Sequence, residues 1–126
     1  MGSSKGRILC GESNKDISHL LCWLLERQGY EVESAHTTAD CLQVASTEYF
    51  DLYLINDEYP DGDGLEMCQQ LRGLSPGTPI LLYSLDRTGY DRQAAKDAGA
   101  DMYLTKIEDF AELIRTIDSL LSSPSS

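Results

Sequence analysis

The sequence is short of basic residues, histidine, paired cysteines and long apolar runs, and each shortage excludes a class of function. Ten Lys and Arg face twenty-one Asp and Glu, a formal net charge of -11. Such an excess of carboxylate repels DNA, RNA and anionic lipid, so none of these is expected as a direct partner. No apolar stretch approaches the ~20 residues of a spanning helix, and the N-terminus (Met1-Gly2-Ser3-Ser4) lacks the apolar core of a secretory signal. The expected setting is the cytoplasm. Cys10, Cys22, Cys41 and Cys68 form no Cys-x-x-Cys pair, and His19 and His36 lie near none of them at ligand spacing. They are read as small buried apolar residues.

What is present is one domain's worth of alternating strand and helix signals. A chain of 126 residues, 41% hydrophobic and 25% charged, fits a single soluble core. Ile8-Leu9-Cys10 predicts a short buried strand. Asn14 then offers a cap to a helix with Ile17, Leu20, Leu21, Leu24 and Leu25 on one face, stopped by Gly29. Tyr30 to Ala35 predicts the second strand, and Thr37-Thr38 begins a helix with Cys41, Leu42 and Ala45. Asp51 to Asn56 holds the uninterrupted apolar run Leu52-Tyr53-Leu54-Ile55, the mark of a central parallel strand covered on both faces.

A loop with Pro60, Gly62 and Gly64 leads to a third helix (Leu65, Met67, Cys68, Leu71, Leu74), and Ile80 to Ser84 predicts the fourth strand. A polar fourth helix over Thr88 to Ala98, a fifth strand over Asp101 to Thr105 and a last helix with Phe110, Leu113, Ile114, Ile117, Leu120 and Leu121 complete the pattern. Five alternations predict an α/β flavodoxin-like (βα)5 doubly wound three-layer sandwich, with a parallel five-stranded sheet in the order 2-1-3-4-5. Residues 1–6 are expected to be a disordered leader or tag remnant, 7–121 the domain, and 122–126 a flexible tail or the start of a linker.

In sheets of this kind the functional crevice lies beyond the carboxyl ends of the strands where strand order reverses. That rule selects Gly11, Glu12 and Ser13, then Asn56, Asp57 and Glu58, then Ser84 and Lys106. From Arg7 to about Leu121 the chain resembles a two-component response regulator receiver domain. The resemblance rests on Asp51-Leu52-Tyr53-Leu54-Ile55-Asn56, on Pro60 and Asp63-Gly64 beyond it, on Ser84, and on Ala98-Gly99-Ala100-Asp101-Met102-Tyr103-Leu104-Thr105-Lys106. It implies a signalling domain rather than an enzyme, with Lys106 at the phosphate-contacting lysine and Tyr103 at the switch aromatic.

The same resemblance implies an aspartate where Asn56 stands and an acidic pair where Glu12-Ser13 stands. An amide has no anionic oxygen with which to attack phosphorus. Loss of one carboxylate also weakens any Mg²⁺ site, which needs close octahedral oxygens. The expected reading is therefore a pseudo-receiver with a degenerate pocket of Glu12, Ser13, Asn56, Ser84 and Lys106, no cofactor, and weak Mg²⁺ binding at most, through Glu12 and Glu58. Lys106 is expected to bridge Glu12 and Asn56, and Ile107, where the family has proline, to follow it through a trans bond.

The domain is expected to act by binding another protein, such as an output module, a kinase or another signalling protein, as a monomer or weak dimer. Tyr83, Arg87, Tyr90 and Tyr103 mark the contact face formed by the fourth strand, fourth helix and fifth strand. One alternative is a working phosphoacceptor or cation-dependent switch that uses a neighbouring carboxylate, Glu12 or Asp57. Another is a flavodoxin, disfavoured because Gly11 to Lys15 lacks a hydroxyl- and glycine-rich phosphate loop.

Overall fold

A computed structural model describes residues 4–85, 91–105, 107 and 109–122. In chain order the elements are β1 (Arg7–Gly11), α1 (Lys15–Arg27), β2 (Glu31–Ala35), α2 (Thr38–Thr47), β3 (Leu52–Asn56), β4 (Glu58–Tyr59), β5 (Gly62–Asp63), α3 (Gly64–Leu74), β6 (Ile80–Tyr83), α4 (Arg92–Asp97), β7 (Met102–Leu104) and α5 (Phe110–Ser122). The main sheet is parallel in the order β2-β1-β3-β6-β7. Leaving aside the two-residue strands β4 and β5, this is the expected 2-1-3-4-5 arrangement.

Two-residue alternation along the strands divides the core between the two faces of the sheet. Ile8, Cys10, Leu52, Leu54, Leu81 and Tyr83 face one way and pack with Leu21 and Leu25 of α1 and Leu113 and Ile117 of α5. Leu9, Tyr53, Ile55, Ile80 and Leu82 face the other way and pack with Cys41 of α2, Met67 and Leu71 of α3, and Ala95 of α4. All five residues of β3 are buried, as helices on both faces require.

Side-chain caps set where the helices begin. Asn14 Oδ1 accepts the Asp16 and Ile17 N–H groups at 2.9 and 3.1 Å. Thr37 Oγ1 accepts from Asp40 N–H at 3.1 Å, and Asp63 Oδ1 from Glu66 N–H at 2.9 Å. The expected fourth helix begins in residues outside those described, and its described part is Arg92–Asp97.

The fold departs from the sequence reading in the leader and in the loop after β3, and Ser122, expected in the tail, belongs to α5. Part of the expected leader is tied into the fold: Lys5 N–H donates to Gly29 O, Glu31 N–H donates to Gly6 O, each at 2.9 Å, and Lys5 Nζ lies 3.3 Å from Asp118. The Tyr30 hydroxyl also bonds Asp118, so α5, β2 and the residues before β1 meet at one point. The loop after β3 is also more ordered than a proline- and glycine-rich run suggests. Glu58 and Tyr59 pair antiparallel with Gly62 and Asp63 in a small hairpin.

Gly64 is where this hairpin hands the chain to α3, and a Cβ there would lie 2.7 Å from Asn56 O and 2.8 Å from Asp57 Cα. Both are backbone atoms of the β3 end. Gly64→Ala is expected to destabilise the fold by roughly 1–3 kcal/mol through overpacking. Gly73→Ala on the same helix meets nothing within 4 Å, and should be neutral or stabilising by up to about 1 kcal/mol. Urea midpoints of the two variants against the parent check the opposite signs.

Candidate functional site

The crevice at the carboxyl ends of β1 and β3 is assembled around Glu12, which is only 2% exposed. Its backbone continues the β1–β2 ladder by donating to Ala35 O at 3.0 Å, and its carbonyl is bonded by His36 Nδ1 at 2.9 Å. A carboxylate this deep requires donors. Asn14 N–H supplies one to Oε2 at 2.9 Å, and the Tyr83 hydroxyl supplies the other to Oε1. Burial first, and the nearby Cys10 and Glu12 groups second, hold the Tyr83 phenol well above its ordinary pKa, so it remains a donor.

Asn56, at the end of β3, is also buried, and its Oδ1 accepts the Glu58 N–H at 3.0 Å in a local turn. Its own N–H donates to the Tyr59 hydroxyl at 3.1 Å, which in turn donates to Gly11 O at 2.7 Å. Tyr59 therefore bridges the ends of β1 and β3, the two strands between which the order reverses. Burial raises its pKa well above the ordinary value as well. Ser13 Oγ donates to Glu58 O at 3.2 Å, closing the hairpin over the loop after β1. Outside this layer an open groove of about 700 Å³ is lined by Ser13, Asp57, Glu58 and Asp63 among others.

The structure thus places Glu12, Ser13, Asn56 and Glu58 at the carboxyl ends of β1 and β3. Ser84 is buried at the end of β6, its N–H bonded to Leu104 O at 2.8 Å. Lys106, Arg87 and Tyr90, with the Lys106–Ile107 bond and the expected lysine bridge, lie outside the described residues. Among the described residues the Glu12 oxygens accept from Asn14 N–H and the Tyr83 hydroxyl. No group of three or more His, Cys, Asp or Glu side chains suited to a metal ion occurs among them either.

Two expectations about the contact face are corrected. Tyr83 is 0% exposed, because its place in β6 turns the ring into the α1–α5 side of the core, where its hydroxyl serves Glu12. Tyr103 is buried in the opposite face, since alternation along β7 points it inward and Met102 outward. Tyr59 carries the central bridge and was passed over at the level of sequence. The available signal was an aromatic hydroxyl in the short loop directly after the central strand, where a buried ring needs a polar partner.

Comparison with known proteins agrees with this fold. The family profile described as response regulator receiver domain matches residues 8–118. The chain belongs to the response regulator receiver domain family. Over 115 residues it is 35% identical to the response regulator MprA of Mycobacterium tuberculosis, covering 91% of this chain and 50% of that protein. The chain thus spans about half the length of the curated relatives it matches. Among solved structures, a CheY-like receiver domain protein from Methanospirillum hungatei superposes with a TM-score of 0.87 at 28% identity, covering 96% of this chain and 95% of the other. TrrA of Thermotoga maritima, solved in complex with Mg²⁺-BeF, gives a TM-score of 0.82 at 28% identity, covering 90% and 97%.

Two outcomes test the geometry of this receiver domain. Tyr59→Phe deletes the hydroxyl that satisfies the buried Asn56 N–H and Gly11 O, and is expected to lower stability by about 1–3 kcal/mol in chemical denaturation. Asp61, at the hairpin tip, accepts the Thr38 and Ala39 N–H groups at 2.8 and 3.1 Å. The Thr38 bond is the first cause that holds its carboxyl below the usual range. With the folded pKa depressed, its stabilisation is present above the unfolded value of about 3.9 and is lost as pH falls through the folded value. Asp61→Asn should flatten the acid limb of the stability–pH curve below about pH 4, read from thermal midpoints between pH 2 and 7.

Proposed function

We propose that this receiver domain signals as a protein-binding module without passing through an aspartyl phosphate. The observation that carries the reading is how the oxygens of the crevice are used. Position 56 holds an amide, and its Oδ1 accepts from Glu58 N–H. Each Glu12 oxygen accepts a hydrogen bond from the chain, and the Glu58 carbonyl accepts from Ser13. A Mg²⁺ ion would have to share these oxygens with internal donors, and only one of its would-be carboxylates, Glu12, is in the crevice proper. The residues present do not fit that ion. Without it and without an anionic acceptor, phosphoryl transfer to position 56 lacks both its nucleophile and its metal.

The α4–β7–α5 side suits a protein partner. Met102 is 41% exposed on β7, flanked by a hollow with Arg92 and Lys96 on one side and another with Glu112 and Arg115 on the other. An exposed methionine among long charged side chains is adaptable contact surface. A net charge of -11 favours a basic protein surface over nucleic acid or anionic lipid. No helix among the described residues is long and apolar enough to cross a membrane, in keeping with a cytoplasmic role beside a kinase or output module.

The competing reading places the phosphoryl group on a neighbouring carboxylate. Glu12 is enclosed behind Tyr83, and a phosphoryl group on Asp57 would sit in the open groove with Glu58 and Asp63, where like charges oppose it. Incubation with Mg²⁺ and acetyl phosphate is expected to leave the intact mass unchanged, and beryllofluoride to leave the amide spectrum unchanged. A Mg²⁺-dependent phosphoryl adduct at any residue would overturn the proposal. Asn56→Asp alone restores an acceptor but not the paired acid. Ser13→Asp combined with Asn56→Asp is therefore expected to give clearly more adduct than Asn56→Asp by itself.

A further inference from the structure

A surface helix ordinarily keeps its outward face polar, and α1 does not do so at its centre. Ser18, Leu21 and Leu25 are buried against the rest of the domain, and the helical turn of about 3.6 residues carries Asp16, Leu20, Trp23 and Arg27 to the opposite side. There Leu20 is 43% and Trp23 55% exposed. Tyr49, Leu74 and Met102, the other large exposed hydrophobics among the described residues, lie on three different segments of the chain. The stripe on α1 is also symmetric. Asp16 is its acidic end and Arg27 its basic end, and the pairs Asp16 with Arg27 and Leu20 with Trp23 share one centre, midway between Leu21 and Cys22. Steps of four, three and four residues along it are those of a coiled-coil seam.

We propose that the outward face of α1 is the contact between two copies of this chain, packed antiparallel about a two-fold axis through that centre. The arrangement sets Leu20 of each copy against Trp23 of the other and Asp16 of each against Arg27 of the other, as an isologous interface requires. Arg27 already lies over the Trp23 ring of its own helix at 4.9 Å, which holds its charge at the rim of the apolar contact, where Asp16 of the second copy arrives. The edges of the stripe agree with this packing. One edge carries the exposed His19 and Glu26, the other the half-buried Ile17 and Leu24. The axis sets each edge against itself, so His19 meets Glu26 and Ile17 meets Leu24.

Charge selects this occupant. A uniformly basic partner would oppose Arg27 and a uniformly acidic one Asp16, whereas a second copy run in reverse pairs both ends. The net charge of -11 on each copy opposes association at long range, and a stripe about 17 Å long makes less than a standard interface. The dimer is therefore weak, and tighter in salt that screens the repulsion between whole molecules. This contact uses neither the crevice nor the Met102 side, so it stands or falls separately from the protein-binding role proposed above.

Trp23 is the chain's single tryptophan, so its fluorescence reads the interface directly. Over roughly a hundred-fold rise in concentration, sedimentation velocity of the 126-residue chain should pass from monomer towards dimer, with tryptophan emission moving to shorter wavelength and acrylamide quenching falling in step. Leu20→Asp and Trp23→Ala should each weaken association at least about ten-fold with the circular dichroism of the parent retained, and Met102→Asp should leave association unchanged. Asp16→Arg and Arg27→Asp each set like charges across the axis and should weaken it alone. An equimolar mixture of these two variants regains both opposite-charge pairs and should associate more tightly than either by itself. A chain that stays monomeric throughout, association that survives Leu20→Asp and Trp23→Ala, association lost with Met102→Asp, or a mixture no tighter than its components would each overturn the inference.

Discussion

A carboxylate almost sealed from solvent at the end of β1 places more demands on this fold than any other group. Left without donors, such a charge would cost several kcal/mol, and the chain meets the requirement from two directions. The Asn14 N–H reaches it because α1 starts where it does, and the Tyr83 hydroxyl reaches it because β6 runs beside β3 in register. Moving α1 by one residue, or sliding β6, would strand Glu12. The Tyr59 bridge repeats this logic one strand over, joining β1 to β3 through a buried phenol. The crevice is in this sense a polar core continuous with the apolar one, held by internal donors and acceptors.

The fold was legible in the sequence because its signals are local and period-based. Leu52 to Ile55 announces a strand covered on both sides, and Asn14 and Gly29 bracket the first helix, so the strand order follows from the alternation alone. The crevice was half legible. Topology placed Glu12, Ser13 and Asn56 together, since strand ends are fixed by the fold, but it could not say what each side chain bonds. Whether a tyrosine on a short strand faces solvent or core depends on one residue of register, and for Tyr83 and Tyr103 the contact-face reading assumed the wrong side. Tyr59 was missed for a related reason: its role depends on a hairpin of two-residue strands that leaves almost no periodic trace.

Membership of the receiver family and the chemistry of this crevice are separate matters, because a fold can be kept while its site is rebuilt. The likeness to solved receiver structures covers nearly the whole chain, so the scaffold is intact. At its strand ends Glu12 accepts from Asn14 and Tyr83, Tyr59 joins Asn56 to Gly11, and Ser13 donates to the Glu58 carbonyl. The buried bonds of Tyr59 and Tyr83 favour one arrangement of these strand ends, since moving either ring would strand a polar group.

The hairpin after β3 also has a bearing on how the sequence can drift. Within five positions it supplies Tyr59 to the β1–β3 bridge, Asp61 to the start of α2 and Asp63 to the start of α3. Substitutions at its tip touch one of these at a time, but inserting or deleting a single residue between 59 and 63 would put all three out of step together. Loops are ordinarily where lengths vary most freely. Here the spacing itself is under constraint, and natural variants of this protein should differ in letters but not in length across that segment.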